Sequence, residues 1–524
     1  MMQDLVQTDG SRLSPIELIS RLAPGWTSRA GLMEELIRCW RKAIEGTTEI
    51  IEIADDAAYF TCSVNHVRLR GFSELHCLLI GGSCERLEWL QNWKLRLVSP
   101  GRQIVVLALS IDAFLRSEPL FSARTGLLLL RPKEIETILT SPPEVDCFTM
   151  LARKYLSPRR LNPFGILSSP DANMFVGRQN ELDILYQSEN TSYAIAGPGR
   201  IGKTSLIQHF RRRLRTDDPA RYSRSVMVDF MNCHSVVPEA ICQFLAIHIN
   251  DGRRARELKP SQLDSFLHFA QKARQGRIEL LLDEVDRVCE SETFMYLAEA
   301  AKNKLCRLVL CGKEVLYENM HNPKSIVYER LRLLRLPALA EEEAQVLLLE
   351  PLCDLGFTIS DPKRLTEEIL KDTGRFPHLI QFYGGALVDL ATSRRTDQIT
   401  LELLEAIRDD FETSQVFAGP VLNLQDEVTE WVALALLHQQ QTSFSEADIR
   451  HVIRREGMPL DEKEVSRICR KLYINNILVW DRENYHIANR ALSRCTRKLG
   501  YFTPRLAELR KTGVRSTKAK RTSA

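Results

Sequence analysis

Between residues 190 and 340 the chain alternates short apolar runs with longer stretches that carry an apolar residue every three or four positions. The runs Tyr193–Ala196, Val226–Phe230, Ile278–Leu282, Arg307–Cys311 and Arg332–Leu336 are four or five residues long. That length suits strands, and the periodic stretches between them suit helices. Alternation of this kind predicts a parallel sheet covered by helices on both faces. From Leu336 onward the strand signal stops, and amphipathic helical periodicity continues to about Thr413, which reads as a helical lid over 338–415. Three more helical segments follow, Asp426–Gln439, Ser445–Glu456 and Asp461–Asn475, and then a hairpin of Ile477–Trp480 with Tyr485–Ala488. Helix, helix, helix, hairpin over 420–500 is the order of a winged helix-turn-helix.

The first 157 residues have a different rhythm. Helical periodicity covers Arg29–Ile44, and β-rich runs follow at Glu49–Ala54, Tyr59–Val64, Val67–Arg70, His76–Gly81, Leu95–Val98 and Ile104–Ser110. These predict a mixed α/β domain, with a linker over 158–173 rich in Pro and Ser, and the next domain starting at 174. Glu49, Glu52, Asp55, Asp56 and Glu74 could be read as a nuclease-like carboxylate site. Such a site also needs a lysine beside a carboxylate on a following strand, which Gln103-Ile-Val-Val does not supply, so surface charge explains them better. This domain is expected to sense or act on a protein partner that the sequence does not identify.

A length of 524 residues suggests three or four domains, and 44% hydrophobic with 27% charged residues is ordinary for a soluble globular protein. No apolar run is long enough to span a bilayer, and the N-terminus lacks the basic-then-apolar pattern of a signal peptide. Thirteen cysteines with no C-x-x-C pair fit reduced thiols in a cytoplasmic protein and show no zinc site. The net charge of +3 hides an asymmetry: the stretch 503–524 holds seven Lys or Arg against one Glu. This basic tail over 501–524 is expected to stay disordered and to attract polyanions such as DNA.

The chemistry is concentrated at two strand ends. After Tyr193–Ala196 comes Gly197-Pro198-Gly199-Arg200-Ile201-Gly202-Lys203-Thr204-Ser205, and then a helix. G-x-x-x-x-G-K-[ST] between a strand and a helix turns backbone N–H groups inward around a phosphate chain. Lys203 then meets the β- and γ-phosphates, and the Thr204 hydroxyl ligates Mg²⁺. Ile278-Glu-Leu-Leu-Leu-Asp283-Glu284 supplies the second half: Asp283 near the metal and Glu284 as the base that polarises water. The N-K-x-D pattern of GTP sites is missing after the fourth strand, so ATP with Mg²⁺ is the expected cofactor pair and ATP hydrolysis the expected reaction.

In their order along the chain, Phe175-Val176-Gly177-Arg178, the phosphate loop, Leu-Leu-Leu-Asp283-Glu284 and Thr373-Gly-Arg-Phe-Pro377-His378 resemble the STAND ATPases. Archaeal origin-recognition initiators of the AAA+ class share most of that order. The resemblance covers 174–490 and does not reach the first domain. It implies that Val176 and Gly177 lie near the adenine and that Pro377 and His378 touch the nucleotide from the lid. Cys311-Gly312-Lys313 departs from the small polar sensor usual in AAA+ proteins, which argues against fast turnover. Arg330, Arg332 and Arg335 precede the lid where those proteins place an arginine finger. The resemblance further implies a nucleotide-controlled switch that assembles into an oligomer on binding ATP, with prokaryotic host defence as a setting. One rival reading is a DNA-binding initiator, loader or transposition regulator; another is a scaffold that binds ATP without hydrolysing it. The basic stripe Lys463, Arg467, Arg470 and Lys471 on the third helix of the winged helix suits either DNA contact or packing on the nucleotide domain.

Overall fold

The structure is a computed structural model that describes residues 30–44, 46–53, 57–64, 74–80, 103–110, 127–141, 146–165, 174–249, 258–424, 426–439, 441–458, 460–481, 483–500 and 502–512, with a few isolated positions besides. Two runs expected to be strands, Val67–Arg70 and Leu95–Val98, lie outside the described residues, as do Asp55 and Asp56.

Alternating apolar residues make the N-terminal strands two-faced. β1 (Gly46–Ile53), β2 (Ala57–Val64), β3 (Glu74–Ile80), β4 (Gln103–Ala108) and β5 (Leu127–Leu130) lie in sequence order in one sheet. β1, β2 and β3 pair antiparallel, while β3, β4 and β5 pair parallel. β5 lies outside the β-rich runs expected from the sequence; four consecutive leucines on a strand with a covered surface need no polar alternation. Phe60, Cys77 and Val105 face a core closed by Trp40 and Phe148, whose rings meet edge to face at 5.7 Å. Tyr59, Leu78 and Val106 face the other side, where the Tyr59 hydroxyl and His76 Nδ1 are 2.7 Å apart. Glu49 is exposed on β1.

The expected linker is only partly a linker. Pro158–Leu161 forms a helical turn, and Leu161 and Phe164 are buried. The Phe164 ring lies against Gly384 so closely that a Cβ at 384 would collide with it. Arg159 also pairs with Asp389 at 3.1 Å. Two apolar residues inside a Pro-marked stretch were the available signal for this packing.

β6 (Tyr193–Ala196), β7 (Ser225–Asp229), β8 (Ile278–Asp283), β9 (Cys306–Gly312) and β10 (Arg332–Arg335) form the second sheet, in the order β10-β6-β9-β8-β7 and parallel throughout. β8 and β9 are fully buried, which explains their nearly unbroken apolar sequence. Charges inside that layer are paired: Glu279 of β8 is buried between Arg221, at 3.0 Å, and Arg307 of β9. Burial pulls the Arg307 guanidinium down to a pKa of about 9.

The segment expected to form a lid carries helices at Glu341–Asp354, Pro362–Thr373, Pro377–Ser393 and Leu401–Asp409, with a two-residue parallel pair of β11 (Thr358–Ile359) and β12 (Gln398–Ile399). After the Phe411–Leu422 helix come Glu427–His438, β13 (Ser443–Phe444), Glu446–Arg455, Glu462–Ile474, β14 (Leu478–Trp480) and β15 (Tyr485–Ile487). β15 pairs antiparallel with both β13 and β14.

The tail departs from expectation. Phe502–Thr512 is a helix whose Leu506 and Leu509 are buried in the core of the C-terminal unit. Arg505 meets Glu430 at 2.9 Å, and Arg510 meets Glu456 at 2.7 Å. Of the three basic residues described there, Arg505 and Arg510 are thus held in ion pairs, and two leucines among many charges were enough to anchor the helix. Leu506→Ala is expected to destabilise the C-terminal unit by about 2–5 kcal/mol, whereas Lys511→Ala at an exposed position should stay within about 0.5 kcal/mol. Denaturant unfolding checks this, and equal midpoints for the two variants would return the helix to the status of a loose tail.

Candidate nucleotide site

At the end of β6 the chain turns through Gly197–Gly202 into the helix Lys203–Asp217. The turn places Arg200 at φ 64° and Gly202 at φ 102°, and the second value suits only glycine. Lys203, the first helical residue, is buried, and its Nζ donates to the carbonyls of Gly197 at 2.9 Å and Pro198 at 2.8 Å. An ammonium has three donors, so one remains for a ligand. Burial lowers the Lys203 pKa, so an anion placed beside it would favour the charged form.

β8 brings the acids to the same place. Thr204 donates its hydroxyl to Asp283 Oδ2 at 2.6 Å, and the Glu284 amide donates to Asp283 Oδ1 at 2.9 Å. Burial raises the Asp283 pKa, with the Thr204 hydroxyl opposing. A desolvated carboxylate facing a hydroxyl is a fitting donor pair for a hard divalent cation. Glu284 takes left-handed backbone at φ 50°, and its Oε2 stands 3.3 Å from Lys313 Nζ. Lys313 is the residue at which the sensor position departs from the usual pattern, and here it is the ion-pair partner of Glu284. Asp286 fixes the loop after β9 by accepting from the backbone amides of Lys313, Val315 (2.7 Å) and Leu316 (3.1 Å).

The lid reaches over the loop tip. At Gly374, φ is 59° and a Cβ would collide with the Ala488 carbonyl, so this turn seats the lid against the C-terminal unit. Pro377 then opens the helix Pro377–Ser393. His378 Nε2 lies 2.6 Å from Arg200 Nη1. Burial, and then the Arg200 charge, lowers the His378 pKa to about 4. At neutral pH the imidazole is therefore uncharged and accepts the guanidinium hydrogen bond.

Val176, Gly199–Ser205, Glu284, Pro377 and His378 line one cavity of about 960 Å³. Gly177 lies against the Glu343 carboxylate, and Gly197 and Pro198 hold the Lys203 ammonium; Asp283 is buried behind Thr204. Arg178, also buried, donates to the Pro337 carbonyl at 2.6 Å and so ties the first segment of the domain to the start of the lid.

The C-terminal unit also reaches this cavity, through Ile474, Asn475 and Asn476. Lys471 pairs with Glu314 at 2.9 Å, and the rings of Tyr473 and Tyr317 are 6.2 Å apart. The end of the basic stripe thus packs on the nucleotide domain, while Lys463 and Arg467 stay exposed. Of the three arginines before the lid, Arg330 pairs with Glu299 at 3.1 Å, Arg335 stacks on Trp480 at 5.8 Å, and Arg332 is exposed on β10.

A five-stranded parallel sheet with this loop on one strand and paired acids on another defines a P-loop nucleoside triphosphatase. The sequence model of the family described as novel STAND NTPase 1 matches residues 160–504. The chain belongs to that family. Among solved structures, it is similar to the Walker-type ATPase PABY2304 of Pyrococcus abyssi at 15% identity, over 62% of this chain and 96% of that one, with a TM-score of 0.46. The Aeropyrum pernix ORC1 protein in complex with DNA matches at 16% identity over 64% and 94%, with a TM-score of 0.36. The RuvB Holliday junction branch migration motor of Thermotoga maritima matches at 15% identity over 62% and 95%, with a TM-score of 0.33. No curated protein matches the chain. No helix among the described residues is long and apolar enough to cross a membrane.

Proposed function

We propose that this STAND-class NTPase is an ATP-controlled switch in which nucleotide holds three parts of the chain together. The observation that carries this reading is the single cavity walled by the phosphate loop, the lid and the C-terminal unit, with Arg200 and His378 in contact across it. Lys203 would hold the β- and γ-phosphates, Thr204 and Asp283 would hold Mg²⁺, and Glu284 would orient water at the γ-phosphate. Bound there, the metal would neutralise charge on the phosphates. Glu284 is paired with Lys313, whose charge favours the carboxylate over its protonated form and so weakens it as a base, which supports slow turnover.

The docking of Lys471 and Ile474 supports transmission of the nucleotide state through the C-terminal unit rather than groove reading by that end of its third helix. On the other side, Leu161 and Phe164, in the segment that follows the N-terminal domain, pack on the lid helix, which supports a route between lid movement and the domain that senses or acts. The expected result is a larger particle with a slowly hydrolysed ATP analogue and Mg²⁺ than without nucleotide, measured by light scattering behind size exclusion. An unchanged mass and an unchanged small-angle scattering profile would remove the switch and leave a static ATPase.

A further inference from the structure

The cavity has a phosphate end and an apolar end. At the phosphate end stand Lys203, Glu284 and Lys313. The apolar lining comes from Phe175 and Val176, ahead of the loop, and from Leu339 and Leu347 of the lid. The lid helix Pro377–Ser393 runs from His378, at the loop tip, toward Gly384, where Phe164 packs. Gln381 lies between those points on that helix and lines the same cavity.

Of the carboxamides that line the cavity, Gln381 is the buried one, at 5% exposure; Gln415 and Asn423 are exposed, and Asn475 and Asn476 are half-buried. Its Oε1 has no hydrogen-bond donor in the protein. The terminal torsion of glutamine is broad, so the carboxamide can turn either polar atom toward a ligand. Two groups that could compete for a base are already engaged: Arg178 is held by the Pro337 carbonyl, and Glu314 by Lys471. The remaining carboxylate in the lining, Glu284, belongs to the phosphate end.

We infer that Gln381 reads the base of the nucleotide and selects a 6-aminopurine. A carboxamide pairs in two places with the N6 amino group and N7 of adenine, its oxygen accepting and its nitrogen donating. On the same edge guanine offers only the acceptors N7 and O6, so it would leave Oε1 without a donor. The inference rests on the ATP-site reading and assigns the part of that site that selects the base.

The test compares ATP with purine riboside triphosphate, which lacks the 6-amino group, by competition against a ribose-labelled fluorescent ATP. The wild-type chain is expected to bind ATP about tenfold more tightly than the analogue, because a buried acceptor left unpaired is costly. In Gln381→Met, of similar length and without a carboxamide, ATP should weaken about tenfold and the two ligands should become equal. Gln381→Glu keeps an acceptor and should keep the preference, and it decides the matter if the Met variant does not fold. A preference that persists in Gln381→Met, or vanishes in a folded Gln381→Glu, overturns this inference while leaving the ATP site standing. Failure of every triphosphate to bind the wild-type chain overturns the nucleotide site and this inference with it.

Discussion

Lys203→Ala is expected to weaken ATP binding roughly 100-fold, the loss of one charge-assisted hydrogen bond in a buried site. The ammonium lies inside the loop, 2.8–2.9 Å from two carbonyls, and burial works against its charge. Phosphate oxygens relieve that conflict, so the differential effect on the bound state is large. Glu284→Gln should behave in the opposite way. It keeps the shape of the site and loses basicity, so ATP should still bind while turnover falls on the order of 10²–10³-fold. Equilibrium binding and single-turnover hydrolysis separate the two. Equal ATP affinity in wild type and Lys203→Ala would remove the loop from nucleotide binding, and undiminished turnover in Glu284→Gln would remove Glu284 from the chemistry.

Why the loop and acids were legible, and their surroundings less so, has a physical reason. β6, β8 and β9 could be read because fully buried parallel strands have no polar face to obscure them. Lys203, Thr204 and Asp283 are close in space because one turn and one strand end bring them there, and both are local in sequence. The contact between Arg200 and His378 spans 178 residues and has no local signature beyond the Thr373–His378 motif. Lys313 looked like a defect at a sensor position, and only its position 3.3 Å from Glu284 gives it a role. Gln381 in the sequence is one more polar residue on an amphipathic helix; its burial is a property of the folded cavity. The tail misled because charge density dominated its composition, while two leucines one turn apart determined its fold.

Asp372 is the clearest case of a residue that sequence could not single out. Its side chain is fully buried and accepts from Arg408 at 2.7 Å, Arg490 at 2.8 Å, Arg494 at 3.1 Å and the Tyr383 hydroxyl at 3.0 Å. Glu368 sits beside it, at 2.9 Å from Arg408 and 2.6 Å from Arg490. The cluster joins the lid helices to Arg490–Lys498 in the C-terminal unit, and Asp372 lies just before the turn that carries Pro377 and His378. Asp372→Asn would leave Arg408 buried and short of its central counter-charge, a loss of about 3–5 kcal/mol. Glu405→Gln, which alters the exposed partner of the same arginine, should cost at most about 1 kcal/mol. Burial pushes the Asp372 pKa up, but the hydrogen bonds and charges of Arg494 and Arg408 outweigh it and the net shift is downward. The Arg490 hydrogen bond, aided by Arg408, holds Glu368 at about 2. Both folded values lie below the unfolded ones of about 4, so the stabilisation is complete above that pH and is lost as pH falls toward 2. Thermal unfolding of wild type should therefore weaken steeply over that interval, and Asp372→Asn should show a lower midpoint at neutral pH with a shallower acid dependence. A variant that melts with wild type at pH 7, or keeps its full acid slope, would show that the arginines are satisfied without this carboxylate.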